Sequence, residues 1–138
     1  EMLKSIKKAS KIVNKKLKIL GVTILTSLSD SAIKKIGYKS PIKDIVKKQA
    51  SIAKLAKLDG IVCSGYEAKY VKKICKNMEI ITPGIRLPGD TKSDQKRVMT
   101  PQKSFKNGAT SLVIGRSLIR GNIKKNIKKL VKLLENET

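Results

Sequence analysis

The chain has 138 residues, with 32 Lys and Arg against 10 Asp and Glu, a formal net charge of +22, and 40% hydrophobic residues. That length fits one domain able to bury a core, and no apolar run approaches the roughly 18 residues of a membrane span. The absence of His excludes Ser-His and Cys-His nucleophile pairs and the usual zinc patterns.

The positive charge is nearly all Lys, spread along predicted helix faces beside one Phe, three Tyr and no Trp. Without aromatic platforms it reads as solvated helix surface rather than a single-strand nucleic-acid groove. Cys63 and Cys75, with no Cys-x-x-Cys, read as small core residues of a reducing, cytoplasmic setting. No signal peptide is evident. Glu1 is not an initiator Met and the chain enters a helical pattern at once, so further residues are expected upstream.

In chain order, Met2, Leu3, Ile6, Ala9 and Val13 recur at helical spacing and predict a helix to about Asn14. Residues 17–25, rich in Leu, Ile and Val, predict a strand buried on both faces, with Thr26 and Ser27 at its carboxyl end. Ser29 or Asp30 caps a short helix ending at Gly37. Ser40 and Pro41 supply the N-cap and first turn of a longer one to about Leu58, its apolar stripe Ile42, Ile45, Val46, Ile52, Ala53 and Leu55.

Asp59-Gly60 turns the chain into a strand at 61–63, then Ser64-Gly65 and a helix over 67–76 with Ala68, Val71, Ile74 and Cys75 inward. A third strand ends in Ile81-Thr82-Pro83-Gly84-Ile85-Arg86. Thr100-Pro101 starts a short helix that stops at Gly108, and residues 112–114 form a fourth strand broken by Gly115-Arg116. A final helix from about Asn122 carries Ile123, Ile127, Leu130, Val131 and Leu134.

Buried strands alternating with helices predict an α/β fold with a parallel sheet. Two closures compete: an open doubly wound sheet, or a (β/α)8 barrel, which needs eight strands and about 250 residues and of which this chain would be half. Either way the ligand edge is the carboxyl edge, where Thr26-Ser27, Ser64-Gly65, residues 82–95 and Gly115-Arg116 converge. Arg86 offers a fork for phosphate oxygens, and Gly115-Arg116 offers backbone amides beside a second guanidinium, so a phosphorylated small molecule is the expected ligand. Asp90 and Asp94 could pair for acid-base work, but among lysines on a loop they read as solvated.

The ordered segments Ile24-Leu25-Thr26-Ser27-Leu28, Asp59-Gly60-Ile61-Val62-Cys63-Ser64, Ile81-Thr82-Pro83-Gly84-Ile85-Arg86, Asp94-Gln95-Lys96-Arg97-Val98-Met99-Thr100-Pro101 and Val113-Ile114-Gly115-Arg116 are similar to the carboxyl half of bacterial orotidine 5′-phosphate decarboxylases. The resemblance runs from about Ile19 to Ile119. It implies the last four units of a (β/α)8 barrel, residues 1–138 forming one half-domain, that acts as a homodimer. It also implies conversion of orotidine monophosphate to uridine monophosphate without metal or organic cofactor. Carried over residue by residue, Thr26 would hydrogen-bond the pyrimidine, Arg86 and Gln95 would bind substrate from the mobile loop, and Gly115 and Arg116 would hold the phosphate. Two departures, Ser117 where Pro often follows Gly-Arg and Leu87 ahead of Pro88, remove no ligand group. The family's catalytic Asp-x-Lys-x-x-Asp does not occur in these residues, Lys43-Asp44 lying in a predicted helix. No catalytic residue is therefore assigned in this chain, and the missing amino half is expected as a partner. Two other readings remain: another phosphosugar barrel enzyme, a decarboxylase or isomerase, disfavoured by Asp94-Gln95 and Thr26-Ser27, and a non-enzymatic basic module binding nucleic acid.

Overall fold

A computed structural model describes residues 1–90 and 96–135. Its elements run α1 (Met2–Val13), β1 (Leu20–Val22), α2 (Asp30–Lys35), α3 (Ile42–Leu55), β2 (Gly60–Val62), α4 (Gly65–Ile74), β3 (Glu79–Thr82), α5 (Pro101–Lys106), β4 (Ser111–Leu112), α6 (Arg116–Ile119) and α7 (Ile123–Glu135). The four strands form one parallel sheet in the order β1-β2-β3-β4. A doubly wound sheet reverses its order at a switch point, whereas sequential neighbours are the barrel pattern. The sheet therefore has the order of half a (β/α)8 barrel.

Its two faces are unequal. Gly21, Ile61 and Ile80 lie in register across β1, β2 and β3. Ile61 and Ile80 are fully buried and share one core with Val46, Ala50 and Ala53 of α3 and Ala68 and Val71 of α4. The next row, Val22, Val62 and Ile81, points to the other face. Val22 is 64% exposed and the other two are half-buried. Residues 17–25 are thus not buried on both faces: β1 is an edge strand covered on one side, so its alternate side chains meet solvent.

Local signals account for most boundaries. Helices α2, α3 and α5 close with the same turn, in which Tyr38, Leu58 and Ala109 donate back to Ile33, Ala53 and Ser104 at 3.1 Å. That turn needs a left-handed residue, supplied by Gly37 and Gly108 and, at the end of α3, by Lys57 with φ +55°. The start of α3 differs from the sequence expectation. Pro41 is the N-cap, without a capping side chain of its own, and Asp30 Oδ1 from α2 accepts the Ile42 N–H at 2.8 Å instead. Ser40 is thereby displaced from the role.

Two apolar stripes remain open. Ile52 and Leu55 of the α3 stripe are exposed, and so are Ile123, Ile127 and Val131 of α7. Strand β4 is shifted to Ser111–Leu112, leaving Val113 exposed beyond it. Residues 116–119 make a short helix that composition did not announce. Cys63 and Cys75 are buried free thiols, as core residues should be. No helix among the described residues is long and apolar enough to cross a membrane.

Candidate ligand site at the carboxyl edge

Parallel strands send their following loops to one edge, and here those loops touch. Gly84, in the turn after β3 with φ +75°, sits so that a Cβ added to it would lie 3.5 Å from Thr26 Cβ and 3.0 Å from the Arg97 carbonyl oxygen. Only glycine combines that dihedral with that closeness. The loop then returns on itself: Ile85 and Met99 form a parallel bridge, Arg86 N donates to Met99 O at 3.0 Å, and Met99 N donates to Gly84 O at 3.2 Å. A second crossing ties it to β1, where Arg97 N donates to Thr26 O at 3.2 Å.

Thr26 is buried at this junction. Beside it Val22, Ile24, Leu25, Ser27, Val62, Cys63 and Pro83 line a cavity of about 270 Å3 on the uncovered face of the sheet. Arg86, at the outgoing stem, is only 9% exposed, with Nη1 donating to the Ile85 carbonyl at 2.9 Å. Asp90 Oδ2 accepts the Leu87 N–H at 3.2 Å and shapes a turn. From α7, Lys129 Nζ reaches the Pro88 carbonyl at 2.9 Å, so the final helix also supports this loop.

Strand β4 pairs with β3 through Ile81–Ser111 and Thr82–Leu112, so Gly115-Arg116 leaves the sheet at the same carboxyl edge as the loop after β3. Gly115 is the N-cap of α6 and Arg116 its first residue, half-buried. A Cβ at Gly115 would meet nothing within 4 Å, so the space in front of this turn is open. Gln95 and Asp94 lie outside the described residues. Sequence reading overlooked that Asp90-Thr91-Lys92-Ser93-Asp94 comes nearer than Lys43-Asp44 to Asp-x-Lys-x-x-Asp; it is one residue short of that spacing.

Two further residues bear on the site without having been assigned a role. Glu67 and Arg97 form a buried ion pair, Arg97 Nη1 to Glu67 Oε2 at 2.8 Å, and Arg97 Nη2 donates to the carbonyls of Ile24 at 3.1 Å and Leu25 at 2.9 Å. Burial pushes the Glu67 carboxyl up, against the pull of Arg97. The same burial, with Glu67 nearby, pushes the Cys63 thiol up to about 12, so no thiolate stands at the cavity. The signals were present: Ser64-x-x-Glu67 has the spacing of a capping box. Ser64 does cap α4, accepting Tyr66 N at 3.2 Å, and the Glu67 carboxylate, besides its hydrogen bond with Ser64, is paired across to Arg97.

Residues 1–129 match the Orotidine 5′-phosphate decarboxylase / HUMPS family. Among curated relatives, the orotidine 5′-phosphate decarboxylase of Coxiella burnetii is 50% identical over 101 residues, 72% of this chain and 43% of that protein. That of Prochlorococcus marinus is 47% identical over 102 residues, 72% of this chain and 42% of its own length. Among solved structures, orotidine 5′-phosphate decarboxylase from Lactobacillus acidophilus superposes with a TM-score of 0.74 at 28% identity, covering 95% of this chain and 57% of that one. The Sulfolobus solfataricus enzyme, at 18% identity and a TM-score of 0.65, shares the fold. The chain therefore spans less than half the length of these curated relatives. The sequential parallel sheet, the loops joined at its carboxyl edge and the match over residues 1–129 agree: this chain belongs to the Orotidine 5′-phosphate decarboxylase / HUMPS family.

Proposed function

We propose that residues 1–138 form the carboxyl-terminal half of a (β/α)8 orotidine 5′-phosphate decarboxylase and supply its base- and phosphate-binding groups. The observation that carries this reading is the junction of the loop after β3 with Thr26, through Gly84 and the Arg97–Thr26 main-chain bond, on a chain of this family. In this reading Thr26 hydrogen-bonds the pyrimidine, Arg86 and Gln95 bind substrate from the loop, and Gly115 and Arg116 take the phosphate. A guanidinium suits that last task because its fork meets two phosphate oxygens at once.

The chemistry comes from elsewhere. Decarboxylation leaves the pair of electrons of the broken C–C bond on the pyrimidine carbon, which a positioned ammonium then protonates. That Lys belongs to an Asp-x-Lys-x-x-Asp strand outside these residues, contributed by an amino-terminal half, and the complete enzyme is a cytoplasmic homodimer working without metal or organic cofactor. Only one sheet face is covered and the rim strands β1 and β4 are open, as a partner half would require.

The test is turnover of orotidine monophosphate by the 138-residue chain alone and after mixing with amino-terminal barrel units bearing the motif. The expected result is no decarboxylation alone and activity on complementation. Turnover by the chain alone sinks the division of labour, and failure of every completed form to act on orotidine monophosphate sinks the activity.

A further inference from the structure

We infer that Glu67 and Arg97 are a positioning pair for the proposed nucleotide site, fastening the returning stem of the loop after β3 to the carboxyl end of β1 and so fixing Thr26 relative to that loop. The inference rests on the proposed function for its ligand and on geometry for its mechanism.

Arg97 makes four attachments within a short span. Its side chain pairs with Glu67 and donates to the Ile24 and Leu25 carbonyls, while its own N–H donates to the carbonyl of Thr26. Three consecutive carbonyls after β1 are thus held by one residue. Glu67 is a rigid anchor, because it stands in the first turn of α4, where its N–H donates to Ser64 O at 3.0 Å and Ser64 caps the helix. The pair therefore joins three units of the fold: the end of β1, the start of α4 and the stem after β3.

Stability alone does not explain the arrangement. Both side chains are nearly excluded from water, at 13% exposure for Arg97 and 9% for Glu67. A buried ion pair is often no better for stability than apolar residues of equal volume, since desolvation offsets the attraction. What it adds is direction. The carbonyls accept only along their lone pairs, and the planar guanidinium presents fixed N–H vectors. Arg97 acts through Thr26 and Gly84 and is a positioning residue, distinct in role from Arg86 and Arg116.

The test uses the natural protein and the variants Arg97→Met, Arg97→Lys and Glu67→Gln. It measures Tm, uridine monophosphate affinity by calorimetry and amide hydrogen exchange at Met99. In variants still folded at the assay temperature, Arg97→Met and Glu67→Gln are expected to bind uridine monophosphate about tenfold more weakly. Arg97→Lys, which keeps the charge but loses the fork, should fall between them and wild type. Met99 exchange should accelerate in step, because its N–H closes the stem on Gly84. Unchanged affinity in folded Arg97→Met and Glu67→Gln overturns the inference. Should Arg97→Met not fold, Glu67→Gln and Arg97→Lys carry the same comparison. If wild type binds no uridine monophosphate, the functional reading fails and Met99 protection decides alone: protection equal to wild type overturns the pair's role.

Discussion

Lys7 and Asp59 join the first helix to the turn that enters β2. The Lys7 ammonium pairs with Asp59 Oδ2, and the same oxygen accepts the Ile19 N–H at 2.6 Å. One carboxylate thus sets the entry of both β1 and β2. Partial burial pushes the Asp59 carboxyl up, but the Lys7 and Ile19 hydrogen bonds and the Lys7 charge outweigh it and hold it below its ordinary value. A depressed carboxyl stabilises the fold above its unfolded-state pKa, about 3.9, and that contribution is lost as pH falls through the lower folded value. Asp59→Asn should therefore cost about 2 kcal/mol at pH 7, and the gap to wild type should narrow in denaturant melts below about pH 4. A gap independent of pH would show that the carboxylate's charge is not what matters.

The proposed phosphate role of Arg116 makes a separable prediction. Arg116→Ala should weaken uridine monophosphate binding about thirtyfold, the worth of one or two charge-assisted bonds, while leaving binding of uridine, which lacks the phosphate, unchanged. Equal losses for both ligands in parallel titrations would place Arg116 in the fold rather than at the phosphate.

The unequal faces of the sheet predict unequal costs of truncation. Ile80, with no exposure and packed among α3 and α4 residues, should cost about 3 kcal/mol as Ile80→Ala. Val22→Ala on the uncovered row should cost under about 0.5 kcal/mol in the isolated chain. Adding a completing amino half should raise the second figure to about 1.5 kcal/mol, as Val22 passes from solvent into a barrel interior. Chemical denaturation with and without the complement checks the pair, and an already large Val22 cost in the isolated chain would mean that face is closed.

The sequence was most informative where periodicity and punctuation act locally. Proline at the start of α5 and glycine after α2 and α5 marked those helices because they answer to dihedral constraints within a few residues. The alternation of strand and helix, with the ordered loop motifs, was enough to reach the family. What was not legible depends on neighbours distant in the chain. The exposure of the Ile52, Leu55 and α7 stripes is one case, because hydrophobicity records that a face is apolar without recording whether this chain covers it. Asp30 capping α3 and Glu67 reaching Arg97 both involve partners remote in sequence, and both side chains had a plausible local task at hand, which Glu67 keeps through its hydrogen bond with Ser64. At the site, Thr26 and the Gly84 turn were expected on one edge, and contact between them follows from a left-handed glycine and a backbone crossing that strand order alone does not specify.

The bridge between Ile85 and Met99 has an evolutionary corollary. Because the two stems are bonded to each other and to the end of β1, the chain between them is closed off from the sheet at its base. Lengthening or rewriting that tip adds little closure entropy and disturbs none of the strand ladder. Under the proposed function, exchanging the tip beyond the buried Leu87 between relatives is the edit expected to move ligand preference while the bonded stems stay in place.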